Sequence, residues 1–297
     1  KAFVIPDFEK LTGQKIAFDP YTEKYYHKTY VEQIITATFP RGPALKNLFF
    51  VTMTEYERGL PVKVAFPSTI VNLPLGRILS ERGLRQLRIT ETEKERFVTY
   101  YFNGQREDPF PGEDRIIVPS PQVSTYDQKP EMSALETTQI LTTRLQENTH
   151  DFMVVNFANP DMVGHTGVLK AGIKACEIVD QCLGEVIKIV LHLGGIALIT
   201  ADHGNVEEMI DPKTGEVNTE HSTNPVPFIV VDQELLGKKQ TLLQGVLADV
   251  APTILSFLKI AKPTEMSGKN LLLWEELKSS RNLQLILKFH PISLITP

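Results

Sequence analysis

At 297 residues, 42% of them hydrophobic, the chain is long enough for one large core or two modest domains and too apolar for a disordered polymer. Its 31 basic and 36 acidic residues give a net charge of −5 with no basic block, which excludes a track for nucleic acid, and no apolar run reaches the roughly 20 residues that span a bilayer. The N-terminus lacks a signal peptide's apolar core, and Cys176 and Cys182 fall six positions apart on one predicted helix, pointing to different faces, so the expectation is a soluble, cytoplasmic protein without a disulfide.

Residues 1–46 scatter aromatics and lysines with neither helical nor strand period and form a leading segment that is hard to assign. Residues 47–53 are a short β-favouring run, and 75–82 followed by Gly83 reads as a helix with a glycine stop. A strand is expected at 115–118, a helix at 131–146 and a fully buried strand at 151–157. From Leu169 the positions Ile173, Cys176, Val179, Leu183, Val186, Ile187 and Val190 recur at helical spacing until Gly194-Gly195 ends the pattern. Residues 196–200 form the next buried strand, 228–231 another, and 242–258 repeat the helical stripe. This alternation of strand and helix places the chain in the α/β class. The tail, 274–297, is apolar near its end but too short and too rich in proline for a membrane helix, and reads as a docked or frayed extension.

Three short runs carry the chemistry: Asn159-Pro160-Asp161-Met162-Val163-Gly164-His165, Thr200-Ala201-Asp202-His203-Gly204-Asn205 and Glu220-His221-Ser222-Thr223-Asn224-Pro225. Carboxylates mixed with neutral imidazoles suit Mn²⁺ or Zn²⁺ and do not suit an all-oxygen cage. Asp161 and His165, four apart, share one face of a helical turn and can hold one ion, while Gly164 lets backbone come close. Asp202 and His203 follow a buried strand at its carboxyl end, where open α/β sheets place ligands, and can line a cleft between two ions. His221 lies in a loop stiffened by Pro225 and Pro227. Taken singly, an Asp-x-x-x-His is more often a surface or capping pair; three such runs in this order point to a metal site with two ions. His27, His150, His192 and His290 lack such a context and read as solvated or structural.

These runs resemble the cofactor-independent (2,3-bisphosphoglycerate-independent) phosphoglycerate mutases of the alkaline phosphatase superfamily. The likeness extends over about residues 45–273, through Glu91-Thr92-Glu93-Lys94, Phe102-Asn103-Gly104, Gly112-Glu113-Asp114-Arg115, Pro119-Ser120-Pro121 and Pro130-Glu131-Met132-Ser133-Ala134. The resemblance implies an alkaline-phosphatase-like three-layer sandwich with a mostly parallel central sheet, occupying 47–273. It also implies two Mn²⁺, with Zn²⁺, Co²⁺ or Mg²⁺ as alternatives: Asp161, His165 and His221 on one ion, Asp202 and His203 on the other, and Lys94 on the substrate phosphate. The implied reaction interconverts 3-phosphoglycerate and 2-phosphoglycerate in glycolysis and gluconeogenesis through a phosphoserine.

The sequence departs from that family in three respects. Nothing resembles the Asn-Ser-Glu-x-Gly-His type motif that carries the nucleophilic serine, so the catalytic nucleophile is unassigned. The inserted transferase domain has no room in the 46 leading residues, and the linker arginines have no match around Asp19 to Lys24. Asp7, closing a strand-like run, is either a further ligand or an ordinary strand-end aspartate; Thr12 and Ser222 are weak substitutes for the serine, and Arg115 reads as an ion-pair partner of its acidic neighbours. Three readings follow: a mutase completed by a companion segment bearing the serine and transferase domain, a metal-dependent phosphohydrolase, or a non-catalytic metal-binding remnant acting as an interaction module.

Overall fold

The computed structural model describes residues 45–55, 59–67, 70–238 and 240–272, together with the backbone of 285–288. Asp7, Thr12, His27 and His290 lie outside the described residues. The chain divides into two compact units, 1–70 and 71–297. In the first, strands β1 (Val51–Thr52) and β2 (Lys63–Val64) pair in parallel, so the run at 47–53 yields only two strand residues.

The second unit runs α1 (Leu75–Glu81), β3 (Gln86–Glu91), β4 (Glu113–Val118), α2 (Ala134–Glu147), β5 (Phe152–Asn156), α3 (Asn159–Gly164), α4 (Leu169–His192), β6 (Ala197–Thr200), β7 (Phe228–Val231), α5 (Val250–Phe257) and β8 (Leu285–Lys288). One six-stranded sheet has the order β4-β3-β5-β8-β6-β7, parallel throughout except for the antiparallel edge pair β6 and β7. β8 is drawn from the tail and occupies the slot between β5 and β6.

Alternation along β5 explains the layering. Met153 and Val155 join Leu141 and Leu145 of α2 and Val179, Val186 and Val190 of α4 on one face. Phe152 and Val154 meet Leu79 of α1 and Ile254 and Leu255 of α5 on the other. With both faces covered, every residue of β5 is buried, the pattern of a strand in a parallel sheet between two helix layers. Asn148, at φ 50°, ends α2 in a left-handed cap, and Gly194, at φ 71°, follows the end of α4. The three-layer α/β arrangement is therefore the one the resemblance implies.

Two departures from the sequence reading have local causes. The helix expected at 242–258 is shortened to α5, because Leu242 bridges to Leu272 and the Asp249 carboxylate accepts the amides of Val246 (2.8 Å) and Lys269 (2.8 Å), tying the approach into a loop. Strand β3 falls in a stretch without an apolar run, yet all six of its residues are buried. Arg88 is wholly enclosed, its guanidinium 4.4 Å from the centre of the Phe102 ring and donating to Gln86 Oε1 at 2.6 Å, and burial pulls its pKa down to about 10.

Other expectations hold. Cys176 and Cys182 are free thiols, and Arg115 pairs with Glu113 at 2.7 Å. His150 is structural: its Nε2 lies 2.8 Å from Asp114 Oδ2, and this hydrogen bond holds the Asp114 carboxyl below its ordinary range. Among the described residues no helix is long and apolar enough to cross a membrane.

Candidate metal centre

The site forms at the carboxyl ends of β5 and β6, the edge of a parallel sheet where loops converge. β5 delivers the chain into α3, whose first turn carries Pro160, a residue whose fixed φ suits a helix start and whose missing amide costs nothing there. That single turn aims Asp161 inward, where it is buried, and places His165 at its end, four residues on and on the same face. β6 delivers Asp202 and His203, and the loop before β7 brings His221 across.

Three ligand atoms converge. Asp161 Oδ1 lies 3.1 Å from His165 Nε2 and 3.3 Å from His221 Nε2, and the two imidazole nitrogens are 3.2 Å apart. Ligands held about 2.0–2.2 Å from a tetrahedral ion stand roughly 3.3–3.6 Å from one another, and the edges of this triangle, 3.1 to 3.3 Å, come close to that spacing. The donor set fits as well, one carboxylate and two imidazoles. His165 Nδ1 sits 2.7 Å from the carbonyl oxygen of Thr219; an oxygen at that distance requires the N–H on Nδ1, which leaves the Nε2 lone pair facing the other two ligands.

His203 and Asp202 lie alongside. The His203 ring stacks on that of His221, centroids 3.6 Å apart and planes within 20°, and its Nε2 is 3.9 Å from Asp202 Oδ2. Among the described residues the cluster whose donor atoms all approach within 4.8 Å is Asp161, His165 and His221; Asp202 and His203 are neighbours of that cluster rather than members of it. Lys94, in a one-turn helix after β3, is also brought in: its buried ammonium donates to Asp161 Oδ2, 4.7 Å from the centre of the Phe97 ring.

Sequence reasoning missed two participants. Asn205 is buried and donates from Nδ2 to Asp161 Oδ1 at 3.2 Å. Glu207, in the one-turn helix after it, accepts from Ser222 Oγ, so Ser222 is a loop hydroxyl engaged in holding the chain. The only signal was the proximity of both residues to Asp202-His203, since neither a lone amide nor a lone carboxylate announces a partner. Gly164 shows why glycine is needed in α3: a Cβ there would overlap Asn205 Oδ1 and lie 2.8 Å from Asn205 Cγ. Gly164→Ala is therefore expected to push Asn205 off Asp161 and cost about 1–3 kcal/mol in urea unfolding, as overpacking does; unchanged stability would mean that the amide swings aside freely.

Comparison with known proteins shows the family and the fold. Residues 63–262 match the metalloenzyme superfamily. The chain is 48% identical over 276 residues to a 2,3-bisphosphoglycerate-independent phosphoglycerate mutase of Chloroflexus aggregans, covering 92% of this chain and 49% of that protein. It is 51% identical over 235 residues to the mutase of Symbiobacterium thermophilum, covering 79% of this chain and 45% of that one. The crystal structure of Leishmania mexicana phosphoglycerate mutase at low cobalt concentration superposes with a TM-score of 0.67 at 29% identity, covering 78% of this chain and 45% of that one. The chain thus spans about half the length of the curated relatives it matches. By sequence and by fold, the chain belongs to the metalloenzyme superfamily, and over most of its length it is similar to the 2,3-bisphosphoglycerate-independent phosphoglycerate mutases.

Proposed function

We propose that this chain supplies the metal-binding, phosphoryl-transferring part of a cofactor-independent phosphoglycerate mutase that interconverts 3-phosphoglycerate and 2-phosphoglycerate. The observation that carries the reading is the triangle of Asp161 Oδ1, His165 Nε2 and His221 Nε2, with edges of 3.1 to 3.3 Å. These three residues would hold one Mn²⁺, and Asp202 and His203 would serve a second. When bound, such ions supply stabilisation of the charge that develops on a phosphoryl group in flight.

The chain's own residues prepare that site. Asp161 brings a buried negative charge to the carboxyl edge of the sheet, and Lys94 balances it. Lys94 would be the residue that donates to a phosphate oxygen once Asp161 serves an ion, a charge-assisted contact that would orient the group for transfer. The Thr219 carbonyl keeps His165 in the tautomer that presents Nε2. Because no motif here matches the family's nucleophilic serine, the proposal assigns that hydroxyl, and the domain that retains glycerate, to a companion segment.

The test is conversion of 3-phosphoglycerate by the purified chain with Mn²⁺, alone and with a serine-bearing companion segment, reading 2-phosphoglycerate and released phosphate together. Metal-dependent 2-phosphoglycerate with the companion is expected. His165→Ala should weaken Mn²⁺ binding by on the order of 100-fold and abolish the product. Phosphate without 2-phosphoglycerate would make the site a hydrolase, and neither product from metal-loaded protein would leave it a binding module.

A further inference from the structure

From the hydrogen bonds around Glu207 we infer that this carboxylate is the positioning residue of the metal centre, a clasp that fixes the loop of Asp202 and His203 to the loop of His221. Its Oε2 accepts the backbone N–H of Asn205 at 2.8 Å. Its Oε1 accepts from Ser222 Oγ and, at 3.1 Å, from Asn224 Nδ2, which also donates to Glu208 Oε2 at 3.0 Å. One side chain thus holds both loops, each through a residue next to or two away from a candidate ligand.

The two arms lead to the same ligands. Through Asn205 the clasp reaches Asp161, since the Asn205 amide donates to Asp161 Oδ1 at 3.2 Å. Through Ser222 it reaches His221, the adjacent residue, whose Nε2 stands 3.3 Å from that same oxygen. The backbone repeats the junction: Ser222 N–H donates to the Gly204 carbonyl at 2.9 Å in an isolated antiparallel bridge. Gly204 is required by the clasp itself, because a Cβ there would overlap both Ser222 Oγ and Glu207 Oε1. Glu207 acts through Asn205, which donates to Asp161, and through Ser222, which adjoins His221, in the way that outer partners of metal ligands set affinity and orientation.

This inference rests on the reading of Asp161, His165 and His221 as a metal site, so its test must separate the two. The chain, its Glu207→Ala and Glu207→Gln variants and a His165→Ala control are titrated with Co²⁺, following the visible absorption of the bound ion, and hydrogen exchange of the Asn205 amide is measured without metal. Glu207→Ala is expected to weaken Co²⁺ binding about 10- to 100-fold, to alter the band intensities that report coordination geometry, and to lose protection at Asn205. Glu207→Gln, which keeps the shape but only one acceptor oxygen, is expected to recover only part of both, whereas it would fully restore a side chain that merely fills space.

If the unmodified chain binds no Co²⁺, the metal reading fails and the clasp falls with it. If the unmodified chain binds while His165→Ala does not, and Glu207→Ala matches the unmodified chain in affinity and spectrum, the clasp alone is overturned. Should Glu207→Ala fail to fold by circular dichroism, Glu207→Gln decides: binding and spectrum identical to the unmodified chain would overturn the inference, and weakened binding with altered bands would support it.

Discussion

Asp161→Ala is expected to destabilise the metal-free protein by about 3–5 kcal/mol, the cost of stranding a buried charge. The charge is the Lys94 ammonium, which, like the Asp161 side chain it donates to, is almost wholly withdrawn from solvent. A surface pair of the same geometry would matter little, because water screens it and solvates either partner left alone. Here the remaining ammonium has the face of Phe97 at 4.7 Å, too weak a partner to replace a carboxylate.

The reverse substitution separates the explanations. Lys94→Met leaves Asp161 with the Asn205 amide and the imidazoles of His165 and His221 around it, so it should cost less than Asp161→Ala. Combining the two removes both charges, and the double variant should be more stable than Asp161→Ala alone. Urea unfolding in the presence of a chelator, followed by far-ultraviolet circular dichroism, measures all three. Strictly additive losses would show that the pair contributes nothing beyond the two side chains separately.

The second large effect depends on pH. Glu91 ends β3 in a buried position, and burial pushes its pKa up to about 7 against the hydrogen bonds from Ser120 and Ser133 and the nearby Lys129, with Glu93 adding to the rise. A carboxyl whose folded pKa lies above its unfolded value of 4.5 contributes stability that is fully present below pH 4.5 and lost as pH rises through about 7. The shift converts to about 3 kcal/mol. Glu91→Gln mimics the neutral acid at every pH, so it should nearly match the unmodified protein at pH 4.5 and exceed its stability by up to that amount at pH 8. A stability difference that does not change between pH 4.5 and pH 8 would show that Glu91 stays ionised in the folded chain.

Much of this architecture was legible because apolar periodicity and burial agreed. The stripe from Ile173 to Val190 became α4, and the runs at 151–157 and 196–200 became β5 and β6, whose ends hold the candidate ligands. The candidate ligands stood out for a different reason: carboxylate and imidazole recur in three ordered runs, and the structure brings Asp161, His165 and His221 together. β3 was not legible, because Gln86, Arg88, Thr90 and Glu91 interrupt its apolar pattern, and the bonds from Gln86 to the Gly76 carbonyl, from Arg88 to Gln86 and from Thr90 to the Asn156 carbonyl that accommodate three of them are not encoded in strand periodicity. Nor were the partners of the ligands. The links from Lys94 to Asp161 and from Glu207 to Ser222 join positions 67 and 15 residues apart, and no local spacing encodes them.

The slot filled by β8 has a consequence for the order of folding. β5 and β6 are joined by α4 but hydrogen-bond to each other only through a strand that follows them by more than 80 residues. Parallel pairing at such separation is slow, because the entropy of closing the intervening loop must be met before any contact forms. On a ribosome, β5, which leads to Asp161, and β6, which leads to Asp202, would wait in two half-sheets until residues 285–288 emerged. Assembly of the ligand cluster would then follow the pairing of β8 and not nucleate folding.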